Sequence, residues 1–151
     1  MDNKFPGKDI SNEDLISKFP LAAKKNPDHK SKFKIANVEF GGDNIPVFAG
    51  PNMVESKELI FDVAENIKKR GAHFLRGGAF KPLTFPYRSE KYNETREDGI
   101  KWLGLAKEKF DIPIITEVME EKFLPIICDV ADILQIGSRN MQNYPLISAA
   151  A

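Results

Sequence analysis

Basic side chains follow the predicted strands of this chain at points where they could meet one small anion. Arg76 ends a strand-like segment and precedes two glycines, Lys81 follows five residues later, and Arg139 stands just beyond a later segment. A guanidinium offers a planar fork to phosphate or carboxylate oxygens, and an ammonium adds a mobile point charge. Three cations gathered at one place would suit a small, doubly charged anion, such as the phosphate ester of a carboxylic acid.

Strands and helices alternate in the pattern that must position these cations. Four apolar segments are each followed by a segment with apolar residues at helical spacing. Continuous apolar strands indicate burial on both faces, and therefore a parallel sheet covered by helices. The predicted strands cover 45–49, 72–76, 112–116 and 131–136, and the predicted helices cover about 56–70, 94–109, 122–129 and 141–151.

Such an α/β chain can form an open doubly wound sheet or part of a closed TIM-type (β/α)8 barrel. A barrel gathers every strand-to-helix turn at one mouth, whereas an open sheet gathers mainly those at its switch point. Eight units typically need about 250 residues, so 151 residues hold only about four. We favour the first half of a barrel, because polar residues follow all four predicted strands: Asn52, Glu55, Arg76, Lys81, Glu117, Gln135 and Arg139.

The N-terminal segment differs in composition from the rest of the chain. Residues 1–31 are polar and rich in lysine, and we predict that they form an arm separate from the half-barrel of residues 32–151. A short helix is expected at about 12–19, with Ser11 as its N-cap.

A β-hairpin is predicted between the arm and the first barrel strand. Apolar residues alternate with polar ones over 33–40, and an apolar run resumes at 45–48. The Gly-Gly-Asp-Asn cluster at 41–44 lies between them and is the expected turn.

Composition excludes several classes of function. Lys plus Arg and Asp plus Glu each total 22, so no net charge attracts nucleic acid. No apolar run approaches the roughly 20 residues that cross a bilayer, and no membrane partner is expected.

The single cysteine, Cys128, indicates a reducing compartment, so we expect a cytoplasmic protein. An isolated half-barrel would expose two strand edges, and we expect a homo-oligomer.

Four sequence blocks carry a family resemblance from about residue 33 to residue 151. They resemble 3-deoxy-7-phosphoheptulonate (DAHP) synthase, in its compact bacterial and archaeal branch. The resemblance implies a (β/α)8 barrel that condenses phosphoenolpyruvate with erythrose 4-phosphate in the first step of the shikimate pathway, usually with a divalent metal. The blocks are AGPNMVES (49–56), GAHFLRGGAFKP (71–82), TEVM (116–119) and ADILQIGSRNMQN (131–143).

The resemblance also implies roles for individual residues. Arg76, Lys81 and Arg139 match positions that hold the phosphate and carboxylate of phosphoenolpyruvate. Glu117 matches a carboxylate near the enol carbon and its attacking water, so Lys81 and Glu117 are the expected catalytic residues. Lys81, Pro82 and Thr84 match the loop that meets erythrose 4-phosphate.

The chain departs from the family pattern at three points. Asn52 occupies the place of a metal-binding cysteine, and an amide oxygen is a much weaker ligand than a thiolate; we therefore expect no metal or other cofactor in this chain. Leu83 and Phe85 replace an arginine and a serine of the aldose loop, with Arg88 nearby as a substitute. The family's remaining metal ligands and phosphate contacts belong to the second half of the barrel.

Two alternatives remain open at this point. One is a metal-independent paralogue that acts on another phosphorylated aldose, as in the related 3-deoxy-octulosonate 8-phosphate synthase, which has a metal-free form with asparagine at the position of Asn52. The other is a catalytically inactive half-barrel that binds anions or assembles with another chain.

Overall fold

The computed structural model of the protein describes residues 11–80 and 94–151. Its main element is a parallel sheet of four strands that pair in chain order, β3 to β6. An unbroken order without a switch point is the arrangement of a barrel segment, and it confirms the predicted half-barrel. The strands are shorter than predicted: β3 is Phe48–Ala49, β4 is Phe74–Arg76, β5 is Ile114–Glu117 and β6 is Ile133–Gln135.

Helices follow the strands as the sequence pattern predicts. The helix α2 begins after Ser56, whose hydroxyl oxygen accepts a hydrogen bond from the Leu59 amide at 3.1 Å, which is the expected N-cap. The segment predicted as one helix at 122–129 is instead a 3-10 turn, Glu121–Phe123, that leads into a short α-helix. The observed helices are α1 Asn12–Lys18, α2 Lys57–Lys69, α3 Arg96–Phe110, α4 Leu124–Cys128 and α5 Tyr144–Ala150.

The hydrophobic core lies between the sheet and its helices. Ile60 of α2 and Leu103 of α3 are fully buried against Leu75 and Ile114 of the central strands. Each side chain of this size contributes about 1.5–3 kcal/mol when it is fully removed from water. Within this core α2 packs against α3, and α3 packs against β5.

An N-terminal hairpin forms, but its pairing differs from the prediction: residues 33–40, predicted as one strand, fold back on themselves instead of pairing with 45–48. Strands β1 (Phe33–Ile35) and β2 (Val38–Phe40) pair antiparallel with Ile35 opposite Val38. The turn is therefore Ala36–Asn37, with Ala36 at φ 50°, and it carries no glycine or proline that would signal it. The Gly-Gly-Asp-Asn cluster lies after the hairpin and leads toward the first parallel strand.

Phenylalanine side chains join the hairpin to the sheet. Phe48 pairs with Phe74 and Ala49 with Leu75, and alternate residues of a strand point to opposite faces. Phe74 therefore lies on the face opposite the helices, where its ring is 4.9 Å from that of Phe48 and 5.8 Å from that of Phe40. Two residues further along, Arg76 lies on this same face, beyond the part that the hairpin covers.

An ion pair stabilises the sheet at the amino ends of its strands. Asp132, just before β6, accepts a hydrogen bond from the Ile114 amide at 2.8 Å. The Lys107 ammonium of α3 lies 2.9 Å from the same carboxylate. One carboxylate thus ties a helix to two neighbouring strands at their amino ends.

No helix within residues 11–80 and 94–151 has the length and apolar character needed to cross a membrane. The boundary between an arm of residues 1–31 and the rest of the chain stays a prediction.

Removing the Phe74 ring should destabilise the protein strongly. Phe74→Ala deletes a fully buried ring that supports the hairpin, and we expect a loss of about 3–5 kcal/mol in the free energy of unfolding. The control is Phe33→Ala, because Phe33 is 54% exposed and should lose only about 1 kcal/mol. Urea denaturation measures both, and equal losses would contradict this account of the hairpin.

Candidate anion-binding site

Polar side chains from neighbouring strands meet at the carboxyl edge of the sheet. Arg76 ends β4, Glu117 ends β5 and Gln135 ends β6, and Glu117 is opposite Gln135 in the strand register. The carboxyl ends of adjacent parallel strands meet at one edge, which is where ligands of such folds bind. The topology therefore brings together residues that are up to 59 positions apart in sequence.

The Arg76 guanidinium is held by groups from the other three strand ends. Its Nε donates to Gln135 Oε1 at 3.2 Å, and its Nη1 donates to the backbone oxygens of Pro51 at 3.2 Å and Asn52 at 2.9 Å. Its Nη2 lies 3.7 Å from Glu117 Oε2. With 18% of its side chain exposed, Arg76 is a nearly buried cation of fixed orientation.

One nitrogen of this guanidinium is available to a ligand. Among the residues that the structure describes, Arg76 Nη2 has an ion-pair contact with Glu117 but no hydrogen bond. The other nitrogens use their protons on Gln135, Pro51 and Asn52. Nη2 is therefore the nitrogen of Arg76 at which a bound anion could accept a charge-assisted hydrogen bond.

Glycines allow the close approaches on which this arrangement depends. Gly50 has φ +144°, and a Cβ there would lie 2.0 Å from the backbone oxygen of Arg76. This contact brings the following carbonyls of Pro51 and Asn52 over the guanidinium. At Gly137 a Cβ would lie 2.0 Å from Glu117 Oε1, so a larger residue would displace that carboxylate.

The predicted site residues are only partly brought together. Arg76 and Glu117 are in contact, and the Glu117 side chain is 4% exposed. Arg139 lies at the same edge in the 3-10 turn Ser138–Asn140, but its side chain is exposed and has no hydrogen bond or ion pair with any described residue. Lys81, Pro82 and Thr84 lie outside the described residues, as does Arg88, so the convergence of three cations stays a prediction.

The groups around Asn52 can be compared with the ligands that the family's divalent metal would need. Asn52 is exposed, and its backbone oxygen accepts a hydrogen bond from the Arg76 guanidinium. That oxygen is engaged by a cation, and the side-chain amide of Asn52 is a neutral and weaker ligand than the thiolate it replaces. Within residues 11–80 and 94–151, no cluster of three or more His, Cys, Asp or Glu side chains could hold a metal. The donors at this place do not fit the family's metal, and metal independence stays a prediction.

Some groups that build the site do not follow from the sequence pattern. Gln135 stands at a strand end like the predicted site residues, and in the fold it orients the Arg76 Nε. Its place opposite Glu117 in the register was the available signal. The carbonyls of Pro51 and Asn52 have no side-chain signature and could be found only from the fold.

Comparison with known proteins identifies the family. The profile of the DAHP synthetase I family matches residues 18–151. The chain belongs to this family. The resemblance inferred from the four sequence blocks is thereby confirmed.

Individual relatives agree with this family membership. A phospho-2-dehydro-3-deoxyheptonate aldolase from Thermotoga maritima is 32% identical over 136 residues, which are 90% of this chain and 39% of the relative. A 2-dehydro-3-deoxyphosphooctonate aldolase from Fusobacterium nucleatum is 35% identical over 130 residues, which are 80% of this chain and 45% of that protein.

Solved structures of the family share the fold. The crystal structure of the Thermotoga maritima aldolase superposes with a TM-score of 0.73 at 32% identity, covering 96% of this chain and 37% of that one. A truncated form of 3-deoxy-D-arabino-heptulosonate 7-phosphate synthase from the same organism gives 0.67 over 80% of this chain and 41% of that one. The chain thus spans about two-fifths of the length of these family members.

The Gly50 contact with Arg76 can be tested against a matched glycine. Gly50→Ala should lower the free energy of unfolding by about 2–5 kcal/mol, because backbone strain adds to a clash with a backbone oxygen. Gly71 has φ +83° but no atom within 4 Å of a Cβ, so Gly71→Ala should lose only the strain, about 1–2 kcal/mol. Chemical denaturation of both variants measures the difference between their losses, which is the cost of the clash with the Arg76 backbone oxygen. Equal losses would show that this close approach does not contribute to stability.

Proposed function

We propose that this chain forms the phosphoenolpyruvate-binding half of an aldol-type synthase. The enzyme would condense phosphoenolpyruvate with erythrose 4-phosphate to 3-deoxy-7-phosphoheptulonate, at the first step of the shikimate pathway to aromatic amino acids. The observation that carries the proposal is the Arg76 guanidinium, fixed by groups from three strand ends while its Nη2 donates no hydrogen bond to a described residue. Membership of the DAHP synthetase I family supports the reaction type.

Each site residue receives a role in this proposal. Arg76 and Arg139 bind the carboxylate and phosphate of phosphoenolpyruvate, together with Lys81. When the enol carbon bonds to the aldehyde carbon, positive character develops at C2 and negative charge on the aldehyde oxygen. Glu117 stands beside C2 and orients the water that adds there as phosphate leaves. Lys81 stabilises the new alkoxide, and Pro82 and Thr84 shape the aldose side.

A second candidate function follows from Asn52. Its amide replaces a thiolate ligand, and the chain is 35% identical to an aldolase named for 2-dehydro-3-deoxyphosphooctonate. The candidate is a metal-independent condensation of phosphoenolpyruvate with a different phosphorylated aldose. A half-barrel that only binds anions is the non-enzymatic alternative.

The domain bounds, compartment, oligomeric state and partners of the protein are proposed from its sequence. The first half of the barrel is assigned to residues 32–151, and the arm to residues 1–31. The protein is expected in the cytoplasm as a homo-oligomer, with small phosphorylated substrates as partners and no nucleic acid.

Loss of the Arg76 guanidinium should weaken phosphoenolpyruvate binding. Arg76→Ala removes a charge-assisted hydrogen bond worth about 1.5–3 kcal/mol, so calorimetric titration should show an affinity roughly 10- to 100-fold lower. Circular dichroism checks that the variant is folded, and Arg76→Lys, which keeps the charge without the fork, should fall between it and wild type. An unchanged affinity in Arg76→Ala would remove this residue from the site.

The metal dependence of turnover distinguishes a metal-dependent synthase from a metal-independent one. In the complete protein, we expect wild-type turnover to survive a chelator, because Asn52 supplies no thiolate. Asn52→Cys should increase metal content, measured by elemental analysis alongside turnover. Stoichiometric metal in the wild type, with loss of activity on chelation, would contradict metal independence. An inactive wild type with a metal-dependent Asn52→Cys variant would indicate a damaged metal enzyme.

A further inference from the structure

Arg96 begins the long helix α3 in a backbone conformation that favours glycine. Its φ is 50°, which for a residue with a Cβ costs roughly 1–2 kcal/mol. Its amide donates to the Ala79 oxygen at 3.0 Å, and the preceding Thr95 hydroxyl donates to the Val54 oxygen at 2.8 Å. These contacts from two strand-to-helix turns hold the strained residue in place, as is common at ligand-binding sites.

The side chain of Arg96 is supported by aromatic rings and keeps its protons available. Its guanidinium carbon lies 5.9 Å from the Phe80 ring centroid and 5.5 Å from that of Phe123. These rings stack on each other with centroids 4.2 Å apart. Glu97 is 4.0 Å away, and both side chains of that pair are about half exposed. Arg96 makes no side-chain hydrogen bond to any residue that the structure describes.

A cavity beside Arg96 opens at the same edge of the sheet as the Arg76 site. Its volume is about 180 Å³, and the described residues that line it are Phe80, Glu94, Arg96, Met119 and Glu120. Phe80 is four residues beyond Arg76 and Met119 two beyond Glu117, so their Cα atoms lie within about 14 Å and 7 Å of those residues. The Glu120 carboxylate is already paired with Lys122 at 2.6 Å.

The chemistry of this cavity suits a sugar phosphate better than a bare anion. The Arg96 fork can bind a phosphate group, and carboxylates can accept hydrogen bonds from hydroxyl groups. Glu94 and Glu120 would repel a small dianion that brought no hydroxyl donors. An aldose phosphate has phosphate and carbonyl at opposite ends, so its phosphate can rest on Arg96 while its carbonyl stays free to react.

From this juxtaposition we infer that Arg96 binds the phosphate of the aldose substrate. The assignment rests on the proposed function for the identity of the second substrate. It also gives that substrate a cation in a chain whose sequence has Leu83 instead of the family's arginine. The strained backbone then has a function, because it holds the long basic side chain over the Phe80–Phe123 pair beside this cavity.

Binding measurements on glycine and lysine variants test the inference. Arg96→Gly removes the side chain at a φ that glycine adopts freely, so its melting temperature should equal or exceed that of wild type. The probes are erythrose 4-phosphate and a five-carbon aldose 5-phosphate, each titrated calorimetrically. We expect Arg96→Gly to weaken the preferred aldose phosphate about 10- to 100-fold and Arg96→Lys to weaken it less, with phosphoenolpyruvate affinity within about twofold of wild type.

Arg70→Ala is the matched control, since Arg70 is an exposed arginine at the far end of α2, and it should leave both affinities unchanged. Arg96→Gly with unaltered aldose phosphate affinity, or a wild type that binds neither aldose phosphate, would overturn the inference. A lower melting temperature with equal loss of both ligands would also overturn it, in favour of a structural role. If aldose phosphate binding depends on Arg96 while phosphoenolpyruvate does not bind, the inference stands and the proposed function fails.

Discussion

A guanidinium with little solvent around it must find its hydrogen-bond acceptors inside the protein, and Arg76 finds them on the three other strand ends. Gln135 supplies one acceptor, the Pro51 and Asn52 carbonyls supply two more, and Glu117 supplies the opposite charge. Leaving such a cation without partners would cost several kcal/mol. The spacing of the four strands is therefore coupled to the orientation of one side chain, and the remaining Nη2 is directed by the same contacts.

The amino and carboxyl edges of the sheet differ in the side chains that they carry. At the amino edge, Asp132 ties Lys107 to the Ile114 amide, and the Phe74 ring is buried beneath the hairpin. At the carboxyl edge, polar groups are concentrated, and two arginines lie there, Arg76 at the end of β4 and Arg96 at the start of α3. This division is typical of barrel enzymes, in which the amino edge can be packed for rigidity because substrates enter from the other side.

The fold could be predicted where the sequence pattern is local and repeated. The Ser56 cap, the apolar face of α2 and the apolar strand at Ile114 follow from helix and strand periodicity, and these elements form as expected. The hairpin turn could not be predicted, because Ala36 and Asn37 carry no strong turn signal while the Gly-Gly-Asp-Asn cluster carries one for a different bend. Packing of Phe40 on Phe74 decides the register there, and that contact joins residues 34 positions apart.

Residue types and their spacing along the chain were sufficient to predict the family and the βα alternation, and to single out Arg76 as a cation at a strand end. The packed fold is needed to know which partners orient Arg76, since two of them are backbone carbonyls that every residue possesses. It alone also distinguished Arg96, an ordinary arginine in sequence, by its φ of 50° and its place over two stacked rings. Backbone conformation and through-space contact depend on how the whole chain packs, and local sequence does not encode them.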